Sequence, residues 1–470
     1  MPRADASPVT TDTVAPAGHR PGAQLTVAAL GTLLTLVAFT APIATLNSTA
    51  AALGAGTSGR TWILSSMSIG LGAALLSTGT LSDDFGRRRT FAAGMAVLVL
   101  GSVFAALAPG TLVFVAARVV QGVGGAAVVA SSLGIIAATY APGPARAAAS
   151  GVWGASVGAG IAVGPLLSAG LDLVASWRDA YWILAVAGAA VTVAALRLVQ
   201  ESRSAAPRPL DLPGLVLLAG GMSALLAALV EGREDWTGPL VLALAAAAVV
   251  LLGAFVAVER RSTAAMLDLA LFRHPPFVAA TVAALATGAG VIALTSYLPG
   301  FVGRALGISA LSASLLMLLW SGSSVVSALL ARRIPARVSG RTQLALGLLG
   351  VAVGQAMQHG VDVDSTWVRF VPGLLVAGVA SGVLNAALGR EAVASVPDGR
   401  GSVGSGANNT ARYVGSAVGV TVVSVIAAGA TTPAGLVVGW NHAVVVTAAV
   451  SVVGALVVLA ARTRGAVSQR

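Results

Sequence analysis

An all-α, membrane-embedded fold follows from three features of the sequence: its low charge, its long apolar runs and its one-sided arginines. Of 470 residues, 56% are hydrophobic and 10% charged, and the mean hydropathy is +0.89. A soluble domain usually carries roughly 25% charged residues, so lipid is the solvent here. In lipid only helices and closed barrels satisfy their backbone polar groups. A barrel reads as short alternating segments. These runs instead continue for about 20 residues, the length at which a helix crosses the hydrocarbon core. The 57 Gly suit close helix packing in lipid.

In order, the apolar runs lie at 24–46, 61–80, 90–108, 111–138, 147–171, 179–198, 212–230, 237–258, 277–298, 309–331, 342–358, 367–389, 402–428 and 439–461. They give fourteen crossings, or twelve or thirteen if 212–258 is not a crossing pair. Residues 1–23 are polar, and the first run is too long for a signal-peptide core, so it reads as a true crossing. The expected layout is a tail over 1–23, six crossings over 24–200, a linker with two further crossings over 201–276, six crossings over 277–461 and a tail over 462–470. The basic turn Gly79–Arg89 follows the second run, and Arg332–Arg341 follows the tenth. This echo fits two halves built on one plan.

Every positive side chain is Arg, since the chain has no Lys. With the N-terminus inside, 21 Arg fall in inner segments and five (Arg60, Arg178, Arg233, Arg304, Arg369) in outer ones. That asymmetry places both termini in the cytoplasm. It also accounts for the net charge of +11 without a nucleic-acid partner. Trp62, Trp177, Trp182, Trp236, Trp367 and Trp440 fall at outer run ends, where indoles favour the headgroup level. Trp153 and Trp320 lie inside runs, for helix packing or for stacking on a substrate. There is no Cys, and His19, His274, His359 and His442 are scattered. No metal ligand set, nucleotide loop or clustered catalytic group is present. The expectation is no enzyme, no cofactor and no ATP-driven pump. Arg-only, Ala/Gly/Val-rich usage points to a GC-rich, actinobacterial genome.

Four stretches carry chemistry. The turn after the second run holds Gly79, Leu81, Asp83, Gly86, Arg87, Arg88 and Arg89. Here Gly79 allows a close helix approach and Gly86 a tight turn. Asp83 can accept from a neighbouring helix end or pair with Arg. The fourth run places Arg118 and Gln121 about two turns inside a helix. An isolated charge there costs ~2.5–3.5 kcal/mol on insertion scales, so Arg118 needs partners or a task. The fifth run holds Gly154, Gly158, Gly160, Gly164, Pro165 and Gly170, a smooth face with a proline kink. The thirteenth run opens with Asn408, Asn409, Arg412 and Gly415, and Asn385 lies on the twelfth.

Together these stretches resemble the major facilitator superfamily, in its fourteen-helix drug:proton antiporter branch. The resemblance covers nearly the whole chain. It implies a major facilitator fold of two six-helix halves plus two extra helices, a monomer, and export of small amphipathic compounds or antibiotics by proton antiport. It makes Gly79 to Arg89 a gating loop and Gly160, Gly164, Pro165 and Gly170 a hinge. It gives Arg118, Gln121, Arg412, Asn408 and Asn385 coupling or cavity roles, and leaves Trp153 and Trp320 as stacking candidates. Two departures stand out. Asp84 replaces a usual basic residue, so the loop is weaker or wired differently. Ser168-Ala169-Gly170 replaces a usual Gly pair.

Proton antiport usually uses a carboxylate that titrates inside the cavity, and no Asp or Glu sits mid-run. Two buried Arg without a buried acid make a positive cavity. The expected substrate is therefore neutral or anionic, in a bacterial plasma membrane with the proton gradient as energy source. An uncoupled facilitator or importer is the alternative within transport, and a non-transporting membrane sensor the alternative from another class.

Overall fold

The computed structural model describes residues 20–233, 235–262, 265–335, 337–427 and 432–461. The tails at 1–19 and 462–470 lie outside them. Among the described residues there is no strand, and sixteen α-helices follow in order. An N-terminal group comprises α1 (Pro21–Thr40), α2 (Pro42–Ala52), α3 (Thr57–Phe85), α4 (Arg87–Ala106), α5 (Thr111–Thr139), α6 (Pro144–Val174) and α7 (Asp179–Leu198). A hairpin of α8 (Leu212–Glu231) and α9 (Pro239–Glu259) comes next. A C-terminal group comprises α10 (Pro275–Ala286), α11 (Ala293–Leu306), α12 (Ala310–Leu330), α13 (Gly340–Ala356), α14 (Val371–Ala394), α15 (Gly401–Ala427) and α16 (Pro433–Ala460).

Proline begins many of these helices, including α1, α2, α6, α9, α10 and α16. The first helical position has no intrahelical use for its N–H, so Pro is tolerated there. The first expected crossing, 24–46, is broken into α1 and α2 at Ala41–Pro42. Pro42 cannot donate to the Ala38 carbonyl, and the helix bends where that bond is missing. A π-helical turn at Thr287–Ile292 joins α10 to α11.

Twelve segments among the described residues are long and apolar enough to cross a membrane. Two helices that the fourteen-run reading counts stand outside this set. Helix α13 has 17 residues, at the lower end of crossing length. Helix α15 carries Asn408, Asn409, Arg412 and several Ser. It is polar because it is shielded: it packs on α3, α5 and the π-turn. Helix α9 is the opposite case, with 17% of its most apolar stretch buried against 78% for α3.

Two large apolar cores form, one mostly from α1 to α7 and one mostly from α11 to α16. The tryptophans at run ends divide by exposure. Trp182, Trp236 and Trp367 are well exposed. Trp177 and Trp440 are buried instead, Trp177 edge-on to Phe114 and Tyr181 and Trp440 stacked on Phe301. An indole at a helix end suits an aromatic core as well as a headgroup layer.

Candidate functional site

Between the two helix groups lies a cavity of about 880 Å³. It is lined by α1, α2, α3 and α6 from one side and by α11, α12, α14, α15 and the π-turn from the other. It reaches the surface at exposed Thr57 and Arg60. Both described chain ends lie at the other end of the bundle. Gln24 there accepts from Thr139 and from the Gln200 amide, and Arg341 donates to the Ala461 carbonyl. Four arginines line the cavity, namely Arg60, Arg233, Arg304 and Arg412, and no Asp, Glu or His is among the lining residues. None of the four has a carboxylate partner among the described residues.

At the cavity's deep end Arg412 is 3% exposed. Its Nη1 reaches Asn385 Oδ1 at 3.5 Å and its Nη2 donates to Asn409 Oδ1. The Nε has no partner. The guanidinium also lies 6.0 Å from the Tyr413 ring centre, and a buried cation held by neutral groups keeps most of its field. Tyr413 packs edge-on to Phe39, and both line the cavity with Arg412 and Asn385. Trp320 also lines it, with a buried indole N–H that has no hydrogen-bond partner. Gly288 of the π-turn lets α15 come close, since a Cβ there would sit 1.9 Å from the Arg412 carbonyl oxygen.

The opposite end is closed by a polar latch. Asp83 Oδ1 accepts from Arg87 Nε at 3.0 Å and Nη2 at 2.8 Å, and its Oδ2 accepts from the Val403 amide at 2.9 Å. The carboxylate thus caps the first turn of α15, where free amides and the helix dipole favour an anion. Arg87 Nη2 also donates to the Gly399 carbonyl at 2.8 Å. Ser82 and Ser402 hydroxyls meet at 3.0 Å. Gly79 permits this approach, because a Cβ there would lie 2.5 Å from the Ser402 carbonyl oxygen. Gly86 has φ +124°, which L side chains rarely adopt. Arg88 and Arg89 lend their backbone amides to the Glu201 carboxylate. Glu201 therefore caps α4, a role the sequence reading missed.

Asp84, the departure from the expected pattern, forms a second tie. Its Oδ1 accepts from Arg400 Nη1 at 2.7 Å and from the Arg208 amide at 3.1 Å. Arg400 Nη2 donates to the Ala206 carbonyl. The 201–211 segment is thus knotted into the closed end. Losing one partner of a buried ion pair strands the other charge. Asp84→Asn and Arg400→Gln are each expected to melt earlier than the parent in detergent. The double variant should melt close to the single ones, because neither charge is then stranded. Additive losses would show that the pair does not act as a unit.

Residues 28–420 match the Major Facilitator Superfamily profile. The chain belongs to the major facilitator superfamily. It is similar to multidrug resistance protein Stp of Mycobacterium tuberculosis, with 30% identity over 375 residues covering 79% of this chain and 70% of the relative. It is also similar to puromycin resistance protein pur8 of Streptomyces alboniger, 30% identical over 81% of this chain and 76% of the relative. A probable actinorhodin transporter of Streptomyces coelicolor is 31% identical over 78% and 65%. Two solved structures share the fold. The human organic anion transporter MFSD10 has a TM-score of 0.66 at 17% identity, covering 93% of this chain and 99% of its own. The proton:xylose symporter XylE has a TM-score of 0.67 at 15% identity, covering 93% and 94%. This major facilitator protein is a multi-pass membrane transporter of the secondary type, not an enzyme.

Several expected cavity residues of this transporter sit elsewhere. Arg118 is fully buried and does not line the cavity. Its Nη1 donates to the Ala38 carbonyl and to Gln121 Oε1, and its Nη2 to the Phe39 carbonyl at 3.1 Å. The Ala38 carbonyl is the one that Pro42 leaves without a donor, so Arg118 completes the α1–α2 break. Gln121 is spent between Arg118 and Ser102. Asn408 ties α15 to the Ala280 carbonyl of α10 at 2.9 Å. Trp153 donates to Ser132 Oγ at 2.9 Å and is 1% exposed, which makes it a packing residue rather than a stacking platform. Gly160 and Gly164 let α6 lie against α1, where a Cβ would meet Leu36 and Thr40 at 2.5 and 2.1 Å. Pro165 lines the cavity, and α6 continues through it. Gly170 has nothing within reach of a Cβ, so no close packing requires it. The structure brings Arg412, Asn385, Pro165 and Trp320 to the cavity and Gly79 through Arg89 to the latch.

Proposed function

We propose that this transporter exports small amphipathic compounds, neutral or anionic, across a bacterial plasma membrane by alternating access in exchange for protons. The observation that carries the substrate class is the cavity lined by four arginines and no acid. Export draws support from relatives named for multidrug resistance, puromycin resistance and tetracenomycin C export. The two six-helix halves, 24–200 and 277–461, rock about the cavity, with the latch closing the cytoplasmic end. The arginine asymmetry supports cytoplasmic termini, so the open mouth faces outward. Helices α13 and α15 complete fourteen crossings, α15 being polar because it lines the path rather than lipid. The acid-free lining also favours a second reading, an uncoupled facilitator.

The test uses everted membrane vesicles loaded by energised uptake. Carboxyfluorescein, an anion, is expected to accumulate, and ethidium, a cation, is expected to lag well behind it. Robust transport of ethidium alone would sink the substrate reading. Collapse of the pH gradient should abolish carboxyfluorescein accumulation, whereas gradient-independent equilibration without accumulation would select the facilitator.

A further inference from the structure

Among the described residues, Arg233 is the cavity-lining side chain that neither helix group supplies. It lies in the turn between α8 and α9, beyond the end of α8 at Glu231. Its Nε donates to Thr421 Oγ1 of α15 at 3.3 Å and its Nη1 to Ser65 Oγ of α3 at 3.0 Å. It therefore spans the seam between the two helix groups at the mouth. Both acceptors are neutral hydroxyls. Among described acids on the same turn, Glu231 accepts from Trp62 Nε1, and exposed Asp235 accepts from Thr237. Neither forms an ion pair with Arg233. Burial pushes its guanidinium down to about 10, which leaves it charged at neutral pH.

The hairpin is held in this position. Thr421 Oγ1 also donates to the Leu229 carbonyl at 2.9 Å, and Leu226 packs with Ile69 and Ala417. A fixed positive charge at the rim of a low-dielectric cleft raises the local concentration of anions and repels cations. We propose that Arg233 is a specificity-determining residue, through which the α8–α9 hairpin reaches into the transport path and selects anionic over cationic solutes. This rests on the anion reading of the cavity given above.

The chain has no Cys, so a single thiol reports the local field without background. Thr61 lines the cavity one turn before Ser65 on α3. In the Thr61→Cys protein the labelling rates of an anionic and a cationic methanethiosulfonate reagent are compared. Arg233→Gln should lower the anionic-to-cationic ratio at least threefold, and Arg233→Lys, which keeps the charge, should restore most of it. The same Arg233→Gln change should raise the carboxyfluorescein KM several-fold with little change in kcat. An unchanged ratio would overturn the proposal. So would equal loss of both rates in the Gln and Lys variants, the mark of a merely structural residue. If the parent fails to move carboxyfluorescein, the anion reading falls, and the labelling ratio still decides the role of Arg233.

Discussion

Oxidation of a Ser82→Cys/Ser402→Cys pair is expected to arrest transport, and a reductant is expected to restore it. The two hydroxyls stand 3.0 Å apart across the closed end, one at the end of α3 and one in the first turn of α15. Their side chains need only a small adjustment to reach disulfide distance. Gly134 leaves the space into which Ser402 projects, since a Cβ there would lie 1.9 Å from its hydroxyl. Alternating access requires this end to open, so a covalent tie there should leave under a tenth of the transport rate. The double variant that is oxidised yet transports normally would show that the two helices do not part during the cycle.

The same pair reports on Asp83. Its carboxylate joins the Arg87 guanidinium to the Val403 amide. Asp83→Asn keeps the shape but leaves Arg87 buried with the Gly399 carbonyl as its remaining strong acceptor. Breaking a buried pair in this way costs about 3–5 kcal/mol. The closed end should therefore be populated less, and crosslinking at 82 and 402 should slow by more than tenfold. A crosslinking rate equal to the parent's would mean that Asp83 does not hold the latch.

How far this was legible in the sequence differs residue by residue. Gly79, Asp83, Gly86 and Arg87 were readable, because turn geometry and close approach restrict residue type locally. Glu201 was not, because it reaches α4 from more than a hundred residues away and looks like any loop acid. The Asp84–Arg400 tie was unreadable for the same reason, although the odd acid at 84 was a visible signal of altered wiring. Pro42 announced the α1–α2 break in plain view, and a strict count of apolar runs passes over it. Arg118 and Arg412 looked alike, two guanidiniums in apolar helices. Only the packed structure shows that one faces freed carbonyls and the other an open cavity.

That difference separates the two arginines in stability and in transport. Arg118→Leu should destabilise the protein severely, whereas Arg412→Gln should leave it folded and cripple anion transport. Replacing Arg118 strands the Ala38 and Phe39 carbonyls and one face of Gln121. Each buried unsatisfied group costs about 1–3 kcal/mol, so the loss is several kcal/mol, and Lys can reach too few acceptors to repair it. Both guanidiniums have an unpartnered Nε, but Arg118 serves two backbone carbonyls and Gln121, whereas Arg412 has two side-chain amide acceptors. Gln there can still bond to an amide, and removing the charge also removes its desolvation cost. Thermal unfolding in detergent should therefore drop by many degrees for Arg118→Leu and little for Arg412→Gln. Carboxyfluorescein transport per folded molecule should fall at least tenfold for Arg412→Gln. If the stabilities reverse, the carbonyl-capping account of Arg118 is wrong. If Arg412→Gln transports the anion normally, the deep end of the cavity does not bind it.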